Sequence, residues 1–346
     1  MQADIYKRLV ITHIHEEVNS VKLFYLQEAG EKISYKAGQY LTFVLPHDEK
    51  EIRRSYSLAS SPHLNEPLCI GVKRINNGVF SRHLVDRGSV GDELFAVGAG
   101  GVFVLPDDID TYKQVYFFAA GSGIVPIFSL LKTALHKHPD LEVILVYSNS
   151  SVSTTIFYSQ LKQLETQFAG KFSILFLFSD GKNLFKARLH AELIEQLLRE
   201  HSGTHFDEAL YYICGPDAYM RLCTFSLSVL KVPGDNVKKE IFHTKKSIQR
   251  IMPPDDAPHD VMLLRGDEQY NVQVQHPESI LLAARKQKLI LPYSCEVGRC
   301  GNCIAKCEKG KIWMSYNEVL TEKEIAQGWI LTCTGYPIEG DATIRF

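Results

Sequence analysis

The sequence predicts a multidomain chain. An antiparallel β-barrel occupies residues 1–106, an α/β domain with a parallel sheet 107–242, a linker 243–259 and an α+β domain 260–346. Three observations predict this. The first third alternates apolar and polar residues in short runs, the middle third holds fully apolar runs between segments of helical period, and four cysteines with ligand-like spacing fall in the last fifth.

In the first region, Arg8-Leu-Val-Ile-Thr-His-Ile, Tyr40-Leu-Thr-Phe-Val-Leu and Leu68-Cys-Ile-Gly-Val-Lys are broken by Gly and Pro turns, the pattern of closely spaced antiparallel strands. In the second, Val115-Tyr-Phe-Phe-Ala, Val143-Ile-Leu-Val-Tyr, Phe172 to Phe178 and Leu210-Tyr-Tyr-Ile-Cys read as strands buried on both faces and joined by helices, hence a doubly wound parallel sheet. Lys238 to His259 mixes basic residues with Met252-Pro-Pro-Asp-Asp-Ala-Pro258 and reads as a connecting segment. The last region opens with two strand-like pieces and an apolar helix from Ser279. Farther on, Thr321-Glu-Lys-Glu324 has capping-box spacing and Gly328 closes that helix.

At 346 residues with a net charge of −2, the chain is long enough for several cores and carries no overall basic field, which argues against nucleic acid as a partner. The start, Met1 to Arg8, shows no apolar signal region, and the apolar stretch Val115 to Leu131 is interrupted by Gly121, Gly123 and Pro126. Neither a secretory signal nor a membrane span is expected. Eight cysteines without such a signal point to metal or redox chemistry in a reducing cytoplasm.

Cys295-x4-Cys300-x2-Cys303, then x29 and Cys333, matches the spacing of four thiolates around a plant-type 2Fe-2S cluster. Gly298 and Gly301 suit a loop that needs unusual backbone angles close to sulfur. A structural zinc site is the alternative, although zinc commonly takes two short paired spacings and only one occurs here. Cys307 reads as a half-buried thiol on a strand leaving the loop. His13-x-His15 reads as a pair of exposed strand histidines.

Arg54-Ser-Tyr56-Ser57-Leu-Ala-Ser60 places a cation, an aromatic ring and hydroxyls on one extended segment, where an isoalloxazine finds a stacking surface, a hydrogen bond for N5 and a fork for phosphate. Lys73 and the turn Gly78-Val79-Phe80-Ser81 add a cation and amides for a pyrophosphate. Ala119-Ala-Gly121-Ser122-Gly123-Ile-Val-Pro126 follows a strand and opens a helix whose free amides favour phosphate. Cys214-Gly215-Pro216 follows the last strand of the same sheet, at the edge where open α/β sheets bind ligands.

With these motifs in hand, residues 260–346 resemble a plant-type ferredoxin domain, a β-grasp fold, including Leu291-Pro-Tyr-Ser-Cys295 and Leu331-Thr-Cys333-Thr. The earlier motifs resemble the ferredoxin-NADP reductase superfamily, whose patterns are R-x-Y-S/T-x-x-S, G-x-G-I-x-P and C-G-P. The domain order resembles the reductase components of phenylacetyl-CoA oxygenase and related oxygenases. The resemblance implies FAD, with the FMN of related dioxygenase reductases, which share a similar arginine motif, as the alternative. It puts Arg54 on phosphate, Tyr56 stacked on the ring, Ser57 at N5 and Gly78 to Ser81 around the pyrophosphate. It also implies NADPH or NADH near Cys214, with Tyr56, Ser57 and Cys214 lining the electron transfer, and a terminal oxygenase or hydroxylase as acceptor. Val125 stands where relatives often have Thr. No arginine stands at Ser150 or Ser151 to choose between the two nicotinamides. A redox sensor with little turnover is the alternative role.

Overall fold

The computed structural model describes residues 6–47, 50–202, 205–242 and 251–346. They form two compact units, divided between Glu240 and Ile241.

The first unit begins with β1 (Lys7–Val18), β2 (Val21–Glu28), β3 (Tyr40–His47), β4 (Lys50–Ser57) and β5 (Leu68–Lys73), followed by helix α1 (Val79–Arg87) and β6 (Glu93–Gly100). These strands pair antiparallel in the order β4-β3-β6-β1-β2-β5. The chain leaving β4 closes the barrel onto β5 through an antiparallel Leu58–Ile70 bridge and a 2.7 Å bond from the Ala59 amide to the Cys69 carbonyl. Alternation along the strands sends Leu9, Ile11, Phe24, Leu41, Phe43 and Ile70 inward, and α1 adds Phe80 and Leu84 to the same core.

The same unit continues with β7 (Gln114–Ala120), α2 (Ile124–Lys137), β8 (Glu142–Asn149), α3 (Tyr158–Gln167), β9 (Phe172–Phe178), α4 (Ala191–Ser202), β10 (Ala209–Cys214), α5 (Asp217–Val229) and β11 (Val237–Glu240). All neighbours are parallel, in the order β11-β10-β7-β8-β9. The chain runs outward from β7 to β9 and then returns to the other side at β10. The strand order therefore reverses between β7 and β10, the place where such sheets bind ligands.

Every residue of α2 from Ile124 to Leu135 is buried. A helix buried on all sides needs neighbours on all sides. One side packs on the parallel sheet, and the other meets the barrel, where Val125 fits against the backbone of Gly71 in β5. Barrel residues Val21, Leu23, Ala59 and Cys69 thus share one core with Phe117, Ile127 and Leu145. Lys171 holds the far end of α2 by donating to the Leu135 and His138 carbonyls at 2.7 and 2.8 Å.

The second unit holds β12 (His259–Arg265), β13 (Glu268–Val274), α6 (Ile280–Lys286), β14 (Ile304–Met314), α7 (Glu322–Ala326), β15 (Trp329–Leu331) and β16 (Gly335–Arg345). Its sheet order is β13-β12-β16-β14-β15, with only β12 and β16 parallel among its pairs. Helix α6 buries Ile280, Leu281, Ala283 and Ala284. The Thr321–Glu324 capping box forms as expected, and Gly328 follows α7 at φ +87. The fold class is therefore the expected one: an antiparallel barrel, a parallel α/β sheet and an α+β domain. Among the described residues no helix is long and apolar enough to cross a membrane.

The basic stretch read from Lys238 begins inside a strand. Lys238 and Lys239 belong to β11, because that strand completes the backbone pairing of β10 from Tyr211 to Cys214. Lys245 and Lys246 lie outside the described residues. The last residue of β11, Glu240, is 8% exposed, and burial raises its carboxyl from 4.5 to about 8. The folded chain thus holds this proton more tightly than the unfolded chain. The stability it contributes is complete below the ordinary carboxyl pKa and erodes as pH rises towards 8. Glu240→Gln removes that loss, so the variant should melt higher than the parent. The gap should widen between pH 5 and pH 8 and correspond to roughly 3 kcal/mol at pH 7. Thermal denaturation across that range checks it.

Candidate functional site

Strand β4 sets out the first group of residues. Arg54 and Tyr56 share a face, with Arg54 exposed and Tyr56 half-buried, whereas Ser57 is turned inward at 5% exposure. The Tyr56 ring rests against Phe43 of β3 at 6.1 Å and Phe80 of α1 at 5.6 Å between centroids. Burial raises its phenol well above the usual range, so the ring stays neutral. The Arg54 guanidinium donates to the Arg53 carbonyl at 2.7 Å on the exposed face.

The turn at Gly78 opens α1, which leaves the first amides of the helix, at Val79, Phe80 and Ser81, without helical acceptors. The Ser81 hydroxyl is used within this turn. It accepts from the Ile75 amide and donates to the Gly78 carbonyl, both at 3.3 Å. The Phe80 side chain is buried at 2% and supports Tyr56, and Lys73 is exposed at the end of β5. Arg54 and Tyr56 therefore form a cationic and aromatic strip on β4, with the Ser57 hydroxyl on the opposite, inward face and the amides opening α1 beyond Phe80.

At the edge where the parallel sheet reverses, the two remaining motifs meet. Cys214 stands in register with Ala119 across β10 and β7. The Gly121–Gly123 turn then passes so close to the end of β10 that a Cβ on Gly123 would lie 2.1 Å from the Cys214 carbonyl oxygen. Both sides of this contact are backbone, so only glycine fits. The Tyr147 hydroxyl supports the turn from β8 by donating to the Gly121 carbonyl at 3.0 Å.

Cys214 is fully buried, and desolvation first, then the Glu240 carboxyl beside it across β11, raises its thiol well above the ordinary range. It is a neutral group and not a nucleophile. Around the same edge, Ser148 Oγ, Asn149 Nδ2 and Tyr219 Oη are buried without a well-formed hydrogen bond, although Tyr219 faces Ser148. Buried donors and acceptors of this kind suit a polar ligand. The Val125 position turns towards β5, so packing against the barrel governs it. Ser151 is engaged locally, its amide donating to Thr154 Oγ1 at 3.1 Å.

In the second unit, Cys295, Cys303 and Cys333 are 8%, 3% and 1% exposed, and Cys300 is partly exposed. Their thiols touch in pairs: Cys295 meets Cys300 and Cys333, and Cys333 meets Cys303. Among the described residues no three His, Cys, Asp or Glu side chains are arranged around a single point for one metal ion. The Cys300 and Cys333 thiols, joined by backbone amides, hold the Cys295 thiol well below its ordinary range and are themselves pushed up.

The backbone faces the sulfurs. Amides of Val297 and Arg299 donate to Cys295 Sγ at 3.4 and 3.5 Å, and that of Asn302 to Cys300 Sγ at 3.5 Å. Gly298 and Gly301 adopt φ +74 and +72, and a Cβ on Gly298 would lie 2.6 Å from the Tyr316 carbonyl. Asn302 Nδ2 and Thr334 Oγ1, beside the cysteines, are buried without partners. Four thiols, amide donors and orphaned polar atoms fit a sulfide-bearing iron cluster, whose sulfurs accept such bonds.

Cys307 lies on β14, half-buried, with its thiol directed at the Lys309 and Gly310 carbonyls. His13 and His15 are exposed, and His15 faces Glu17 at 3.3 Å. Sequence reasoning missed Glu240, Tyr219 and the polar residues of α2. Glu240 carried only the signal of one acid ending a short run.

Gly123→Ala places a methyl group in the backbone of β10. It should weaken nicotinamide binding by at least about tenfold, or 1.4 kcal/mol, and leave flavin content unchanged. Difference spectra during nicotinamide titration measure this.

Known families match all three regions. Residues 9–104 match an oxidoreductase FAD-binding domain, 117–224 an oxidoreductase NAD-binding domain and 265–337 a 2Fe-2S iron-sulfur cluster binding domain. The ferredoxin reductase component of 3-ketosteroid-9-alpha-monooxygenase from Rhodococcus rhodochrous is 30% identical over 331 residues, covering 92% of this chain and 90% of that one. A subunit of the 1,2-phenylacetyl-CoA epoxidase of Escherichia coli is 29% identical over 334 residues, covering 92% and 91%. Phthalate dioxygenase reductase shares the fold with a TM-score of 0.61 at 23% identity, covering 100% of this chain and 99% of that one. These relatives do not favour the sensor alternative. The chain belongs to the family of oxygenase reductase components that join the FAD- and NAD-binding domains of the ferredoxin-NADP reductase superfamily to a C-terminal 2Fe-2S domain.

Proposed function

We propose that this chain is the reductase component of an oxygenase or hydroxylase system, taking electrons from NADPH or NADH and delivering them to that partner in the cytoplasm. The observation that carries the reading is the cysteine loop, where thiols meet in pairs and backbone amides point at sulfur. Bound FAD would convert two-electron donation into single electrons for a 2Fe-2S cluster, chemistry that no side chain supplies.

The residues supply position and charge. Arg54 and Lys73 would neutralise phosphate, the amides from Gly78 through Val79 and Phe80 to Ser81 would cradle the pyrophosphate, Tyr56 would offer its face to the isoalloxazine, and Ser57, at the end of β4, would meet N5. Gly121, Ser122 and Gly123 hold the nicotinamide nucleotide at the opening of α2, and Cys214, Gly215 and Pro216 line its ring. As a neutral thiol, Cys214 fills that wall without placing a charge beside the reacting carbon. Cys295, Cys300, Cys303 and Cys333 hold the cluster, and the amides at sulfur tune its potential around the plant-type value of about −400 mV. The working divisions are 1–106 for flavin, 107–242 for nicotinamide, a 243–259 linker and 260–346 for the cluster.

Anaerobic stopped-flow mixing with a reduced nicotinamide should bleach the flavin first and the cluster second. Cys333→Ser should abolish the cluster absorption while flavin bleaching continues at near the parent rate. A parent protein whose cluster is never reduced by either nicotinamide would overturn the proposal.

A further inference from the structure

Ser60 ends the flavin motif but does not stand with Arg54 and Tyr56. It is 2% exposed. Its hydroxyl accepts from Tyr35 Oη at 2.9 Å and from the Cys69 amide at 3.1 Å, and its carbonyl accepts from Ser129 Oγ of α2 at 2.6 Å. The adjacent Ser61 is fully buried, with Oγ 2.8 Å from Thr133 Oγ1, and its amide donates to Glu66 at 2.7 Å. Glu66 in turn pairs with Lys132, whose ammonium also lies 4.7 Å from the centre of the Phe128 ring.

Ser129, Lys132 and Thr133 are spaced to share one face of α2, and that face is turned to the barrel. Lys132 is 8% exposed, and desolvation lowers its pKa against the pull of Glu66. A buried polar contact behaves differently from the apolar packing beside it. Apolar packing such as that of Val125 on β5 is non-directional. Shifting Ser129, Lys132 or Thr133 leaves buried donors and acceptors unpaired, and water cannot reach in to replace the lost partners. The polar cluster therefore fixes the register of α2 on the barrel.

Both ends of this connection lead to the proposed cofactor sites. Ser60 follows Ser57 by three residues, and Ser129 follows Gly123 by six, along one rigid helix. We propose that Ser129, Thr133 and the Lys132–Glu66 pair are positioning residues for the nicotinamide–flavin reaction, setting the distance between the nucleotide turn and the flavin strand. This rests on the reading of the chain as a nicotinamide-dependent flavin reductase.

The test uses the full chain loaded with flavin and cluster, as Ser129→Ala, Lys132→Met and Lys132→Arg variants. Stopped-flow over a range of nicotinamide concentrations separates the limiting rate of flavin bleaching from the dissociation constant. The limiting rate should fall about tenfold in Ser129→Ala and Lys132→Met. The dissociation constant and flavin spectrum should be unchanged, and Lys132→Arg should recover most of the rate by keeping a cation opposite Glu66. If Lys132→Met does not fold, Ser129→Ala, which loses one hydroxyl, decides the matter. Parent-like rates in the folded variants would overturn the proposal, as would losses that follow flavin release or weaker nicotinamide binding. Failure of the underlying reading looks different, because the parent itself would then show no bleaching by nicotinamide.

Discussion

Helix α2 is the constraint on which the first unit depends. It is buried from Ile124 to Leu135, so it needs a partner on each side, and it finds the parallel sheet on one and the barrel on the other. Burying each large apolar side chain contributes about 1.5–3 kcal/mol, and the residues of α2 divide that contribution between two sheets. The barrel and the α/β domain consequently share a core instead of meeting across a loose surface. The turn that opens α2 lies where the sheet order reverses, so the same helix that joins the two sheets also carries the Gly121–Gly123 turn.

This arrangement suits a reaction with no acid–base dyad at its centre. Cofactors supply the electron chemistry, and the protein contributes geometry and electrostatics. The charge states agree with that division. Tyr56 and Cys214 are held neutral by burial, and Glu240 near Cys214 is pushed towards its protonated form. The cysteine loop differs in kind, because amides and neighbouring thiols favour a thiolate at Cys295.

Much of this was legible in the sequence because it rests on local rules. Alternation identified β1, β3 and β5, apolar runs identified β7 to β10, and the cysteine spacing marked the loop that Gly298 and Gly301 shape. Contacts between distant segments were not legible. Nothing local marks Ser129 as the partner of Ser60, or Val125 as the residue that meets Gly71. Glu240 was hidden for a related reason. A carboxylate after two lysines reads as solvated until β11 pairs with β10 and buries it. The Ser81 hydroxyl is a further case, since its bonds to the Ile75 amide and the Gly78 carbonyl brace the turn that opens α1.

One chain of this family stores electrons in two different centres, a flavin that takes two and a cluster that takes one. Anaerobic titration of the loaded protein with reduced nicotinamide counts them directly. Full bleaching should require about one and a half equivalents per chain, with iron and acid-labile sulfide present in equal amounts. An end point at one equivalent, with the remaining absorption unchanged by further donor, would contradict the account.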